Sequence, residues 1–189
     1  MRVFVAAFLA VITSSCALSD PNEPSLHQDI TGYYGGYWRS YIGYYQGTGH
    51  VRCDMSTTSV NSLPVRAFFR SSWPQAFVTI DTKTGEQGRI AFHVAYEQDP
   101  KSRPVAIINA REFALVAQGP YAYAADAKTE LALLQAMKSN SQFRSKVVIK
   151  GMAKDGTATE DHFSMEAFEA HYKSMKEHCQ PPRTKPSRS

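Results

Sequence analysis

Between Lys146 and Cys179 the chain passes through strand, turn, strand and helix with no long connection, and this stretch constrains everything upstream of it. Val147, Val148 and Ile149 are β-branched and suit a pleated surface. Asp155-Gly156 marks a two-residue hairpin, because glycine accepts the positive φ of a type I′ turn. Thr157 to Phe163 resumes as an extended run. Ser164 fits a helix N-cap, with Phe163 and Phe168 as a hydrophobic staple around it. Met165, Phe168, Tyr172, Met175 and Cys179 recur at three- and four-residue steps, so they share one helix face. An apolar helix face needs a sheet to lie on, and a covalent tie at Cys179 would pin it there.

The upstream residues supply that sheet. Residues 50–54, 63–70, 75–80, 104–109, 112–117 and 121–124 read as short strands, with a break at Trp73-Pro74 because proline cannot donate to a ladder. Residues 89–96 alternate cleanly, with Ile90, Phe92, Val94 and Tyr96 on one face. A tight turn is expected at Ala110-Arg111. Asp126 caps a helix whose apolar positions include Leu131, Leu134 and Met137. The pattern predicts a mainly β (α+β) domain over residues 32–179: a single antiparallel β-sandwich or open barrel with two peripheral helices, near 126–138 and 164–178.

Residues 1–19 read as an export signal. Arg2 supplies the positive start, and Val3 to Ile12 is an apolar run of ten residues, too short to span a bilayer. Two processings are open. Small residues around Ala17 suit an ordinary signal peptidase; alternatively Thr13-Ser14-Ser15-Cys16 is an imperfect lipobox, and a lipidated Cys16 would tether the protein to a membrane surface. Residues 20–31 form a linker. Of three cysteines, Cys16 is then either cleaved off or lipidated, leaving Cys53 and Cys179 in an oxidising compartment. Bridged, they close a loop worth about 4–5 kcal/mol by the chain-entropy estimate; the alternative is two free buried thiols.

The formal net charge of +4 invites a nucleic-acid partner, but its placement argues against one. Arg2 lies in the signal, and Arg183, Lys185 and Arg188 lie in the proline-rich tail 180–189, which is expected to be disordered. Removing these four from 21 basic residues leaves 17 against 17 acidic ones. A near-neutral body carries no electrostatic footprint for a polyanion.

Residues 32–49 hold six of the ten tyrosines, interleaved with glycine. Tyr33, Tyr34, Tyr37, Trp38 and Tyr41 are candidate contacts for a partner protein or a glycan, since tyrosine offers a flat apolar ring with a polar tip. The plainer alternative is a first strand packing its rings on the sheet. Catalytic machinery is not evident. Asp161-His162-Phe163-Ser164 contains the letters of a hydrolase triad, but neighbours on a strand point to opposite faces. His171 and His178 stand two helical turns apart, too far for one metal ion. No cofactor motif is present.

Gly156, Thr157, Thr159, Asp161, Phe163, Ser164, Met165 and Phe168, with Cys179 beyond, resemble the C-terminal signature of the invasion-associated locus B family of bacterial envelope proteins. His162 stands where that family usually has a threonine, and Ala167 replaces its glycine. Residues 113–123 and 130–138 also resemble the family, and the likeness runs from about Ala67 to Cys179. The resemblance implies a secreted, β-rich, non-enzymatic protein of the periplasm or outer membrane that engages an envelope protein or the cell wall and aids host interaction. The runner-up is a carbohydrate- or peptidoglycan-binding module that uses the tyrosine-rich segment.

Overall fold

A computed structural model describes residues 27–29, 38–45, 50–64, 73–83 and 86–179, with backbone alone at 27–29, 44–45 and 86–87. The expected signal segment and the tail 180–189 lie outside the described residues, as does most of the linker. The strands are β1 His27–Asp29, β2 Arg39–Tyr45, β3 His50–Leu63, β4 Gln75–Asp81, β5 Glu86–His93, β6 Val105–Ile108, β7 Arg111–Gln118, β8 Tyr121–Ala124, β9 Lys146–Met152 and β10 Ala158–Ser164. Helix α1 spans Ala127–Ser139 and α2 spans Phe168–His178.

Eight of these strands close into an antiparallel barrel in the order β3-β10-β9-β6-β7-β8-β5-β4 and back to β3. The fold is mainly β, as expected, but it is a closed barrel rather than a sandwich or an open one. The reason lies in β3. Instead of ending near Asp54, it runs to Leu63, with Val51, Cys53, Met55, Thr57 and Ser59 buried in unbroken alternation. Its first part pairs with β4 on one side and β2 on the other, and its last residues pair with β10. One long strand therefore joins both ends of the sheet, and closure removes the open edges that invite wrong pairing.

Antiparallel order places the ends of β8 and β10 and the starts of β5 and β9 at the same mouth. Helix α1 connects β8 to β9, and α2 follows β10, so both helices lie over that mouth. Leu133, Leu134 and Met137 of α1 and Phe168, Tyr172 and Met175 of α2 join the same buried cluster as the inward-facing strand residues. Gly88 makes this packing possible. It is the extra residue where the β4–β5 register shifts, with φ at +96°. A Cβ there would stand 2.9 Å from the Tyr172 hydroxyl and 3.0 Å from Leu134 Cδ2.

The opposite mouth is crossed by residues 94–104. Val94 and Gln98 donate their amides to Pro120 and Gly119 on one side, while Asp99 donates to Met152 on the other. Tyr96 hydrogen-bonds Thr159 through their hydroxyls, and Gln98 Nε2 donates to the Tyr121 carbonyl at 2.7 Å.

Local turns differ from expectation in three places. Ser164 ends β10 opposite Lys146 rather than capping α2; its hydroxyl accepts the Glu166 amide at 3.2 Å. The helix starts later, at Phe168, behind Ala167 in a left-handed conformation with φ of 58°. The β9–β10 turn is longer than two residues: Gly156 donates to the Ala153 carbonyl and has φ of 82°, while Asp155 Oδ1 accepts the Thr157 amide. The β6–β7 turn centres on Asn109 and Ala110, both at positive φ, as a type I′ turn requires. Asp126 caps α1 as expected, accepting the Thr129 amide at 2.7 Å, and that bond holds its carboxyl below the usual range.

Candidate functional site

Cys53 and Cys179 are bridged, with Cα atoms 5.8 Å apart across 126 positions of sequence. The bridge ties the start of β3 to the end of α2, and Cys53 and Cys179 are both buried. Cys16, Tyr33, Tyr34 and Tyr37 lie outside the described residues. Trp38 lies in the core and not on a contact surface: it is 1% exposed, its indole N–H donates to the Ser164 carbonyl at 2.8 Å, and its ring meets Phe168 edge-on. The apolar mass of an indole is worth most when buried with its N–H satisfied, and the turn after β10 offers that acceptor. Tyr41 is half-buried on β2 opposite Asp54.

The triad letters separate as strand geometry requires. Asp161 faces the barrel interior and is 2% exposed. His162 faces outward, where its Nε2 lies 2.6 Å from Glu160, and Lys150 stands 3.2 Å from the same carboxylate. The His162 and Lys150 hydrogen bonds pull the Glu160 pKa below its ordinary value. Among the described residues no three His, Cys, Asp or Glu side chains gather as metal ligands. His171 is buried on α2, and desolvation lowers its pKa; the same cause raises that of Tyr172.

Among the described residues, one surface that gathers aromatic and charged side chains is the outer wall formed by β3, β4, β5 and β8. Register sets its rows. Phe77, Ala91 and Tyr123 stand in one row across β4, β5 and β8; Gln75, His93 and Tyr121 stand in the next. Asp54, Thr79 and Arg89 form the row on the other side of the first. The His93 and Tyr121 rings lie 5.0 Å apart, and Tyr121 and Tyr123 stack at 6.0 Å with an interplanar angle of 25°. The Arg89 guanidinium covers the Tyr123 ring at 5.1 Å. Arg52 Nε donates to Asp54 Oδ2 at 3.0 Å, and Thr79 Oγ1 donates to Asp54 Oδ1 at 2.5 Å. Ala91 is the smallest side chain of its row, so a groove of about 320 Å³ opens over it.

Sequence reasoning missed this wall because its residues come from four strands, each contributing two or three. The available signal was Tyr121-Ala122-Tyr123-Ala124, where tyrosine alternates with alanine: Ala122 turns inward, fully buried, and both rings point out. Comparison of the chain with protein-family models, with curated proteins and with solved structures returns no match.

Proposed function

We propose that this chain is an exported, non-enzymatic binding protein of the bacterial envelope, of the invasion-associated locus B type, acting through its outer surface on an envelope protein or cell-wall component. The Cys53–Cys179 bridge carries the proposal. It joins an early strand to the last helix, an arrangement suited to an oxidising compartment and foreign to a reducing cytosol. The barrel interior supports it as well, because Phe92, Ile149 and Phe163 fill space that a ligand-carrying barrel would leave open. Ala167 adds support from the likeness: the residue where that family carries glycine adopts the backbone conformation that favours glycine.

Fractionation of the source cell tests the proposal, combined with intact mass before and after reduction. Export predicts a mature chain in the periplasm or outer membrane, lacking residues upstream of the processing site and carrying the mass deficit of one bridge. Recovery of full-length, reduced protein from the cytosol would overturn it. A lipid-sized mass increment on a chain starting at Cys16 would identify the tethered form.

A further inference from the structure

We infer that the outer wall over Ala91 is a saccharide-binding surface, and that its occupant is a neutral, N-acetylated glycan strand of the cell wall. This inference rests on the proposed envelope location and adds the ligand class. A pyranose ring has one face of C–H bonds and a belt of hydroxyls. Tyr123 is held between Tyr121, 6.0 Å away, and the Arg89 guanidinium, so the exposed Tyr121 ring is the flat apolar surface that such a face covers. Beside them the Arg52–Asp54 pair and Thr79 set donors next to acceptors, which matches hydroxyls that both donate and accept. The charge on the wall is nearly balanced: Arg52 and Arg89 stand with Asp54 and Asp81 in adjoining rows. A polyanion such as nucleic acid or an acidic lipid surface gains little from that balance, whereas a neutral polyol loses nothing by it.

The hollow over Ala91 narrows the class further. Phe77 and Tyr123 flank Ala91 on the neighbouring strands, so the groove of about 320 Å³ has the Ala91 methyl between two rings on one side, and Arg52, Asp54, Thr79 and Arg89 make the rest of its lining polar. An acetamido methyl fits that apolar side, with its amide turned toward the polar row. A plain hydroxyl in that position would be desolvated without a partner.

Titration calorimetry of the oxidised protein with N-acetylglucosamine oligomers tests this, with glucose oligomers of the same linkage as the comparison. Saturable binding of the acetylated series is expected, with the glucose series at least about tenfold weaker. Tyr121→Ala should weaken binding about tenfold or more, as central aromatic contacts do, and Tyr123→Ala should weaken it as well by removing the ring that Tyr121 stacks on. Ala91→Leu should abolish it by filling the hollow. All three positions face outward, so unchanged thermal melting confirms an intact barrel. No binding by the wild type, equal affinity for both series, or affinity untouched by these substitutions overturns the inference. So does a wall that instead captures single-stranded nucleic acid in a salt-dependent way, or crosslinks to an envelope protein without a glycan response. If the chain is exported and bridged yet binds no glycan, the envelope role stands and the ligand class falls.

Discussion

Trp38 and Ser164 are 126 positions apart in sequence and are joined by one hydrogen bond of 2.8 Å, from the indole N–H to the carbonyl that closes β10. Phe168 meets the same indole with ring centroids 5.0 Å apart. One of the five residues that the sequence offered as ligand contacts is therefore the peg that seats α2 on the barrel. Trp38→Phe keeps most of the apolar volume but leaves the Ser164 carbonyl buried without that donor. The expected loss is about 1–3 kcal/mol, read as a lower urea midpoint with an unchanged slope. Glycan affinity should be unaffected, since Trp38 is not on the outer wall.

Replacing both Cys53 and Cys179 by alanine, or reducing the bridge, should lower stability by about 4–5 kcal/mol in the chain-entropy estimate for so long a loop. Guanidinium melts in the presence and absence of reductant measure it. Hydrogen exchange should locate the first response in α2, whose far end is the half of the bridge that is free to move.

Two backbone positions should respond with opposite sign. Gly88 sits at φ of +96°, and a Cβ there would meet Tyr172 and Leu134, so Gly88→Ala combines strain with overpacking. The expected loss is roughly 1–3 kcal/mol. Ala167 has φ of 58°, where a side chain is strained, so Ala167→Gly should gain about 1 kcal/mol. Thermal melts of the two variants against wild type give both signs in one experiment.

His171 should impose a pH dependence near neutrality. Burial lowers its pKa from the ordinary 6.5, so the folded imidazole stays neutral where the unfolded one is charged. Between those two pKa values the unfolded chain binds the extra proton, and stability rises with pH. The contribution is complete above about pH 6.5 and is lost as pH falls from there through the lowered folded value. Glu160, held below its ordinary 4.5 by His162 and Lys150, adds a second decline at more acidic pH, lost as pH falls through its depressed folded value. Urea midpoints across pH should show both, and His171→Leu should flatten the upper one while leaving the lower in place.

Local order was legible wherever neighbouring residues decide it. Asp126 caps α1, Ile90, Phe92 and Val94 face inward, and the apolar stripe of α2 is buried, as their spacing indicated. Closure was not legible, because it depends on β3 pairing with β10 through contacts such as Glu160 with Leu63, whose register no short window contains. Ser164 shows the second kind of limit. Its side chain suits a helix cap, but pairing with Lys146 keeps it in the strand and leaves the cap to Ala167. Trp38 shows the third: a ring among exposed-looking tyrosines and glycines was drawn inward by a carbonyl supplied from the far part of the chain. The outer wall escaped notice because no two of its four strands announce each other.

Cys179 follows every strand of the barrel in chain order, while its partner Cys53 lies in the strand that joins the two ends of the sheet. On the proposed export route the first sulfur would therefore wait until the whole β region had crossed and wrapped. Oxidation acts as a latch thrown last, and a chain stalled part-way through translocation would expose a lone thiol to whatever quality-control machinery patrols that compartment.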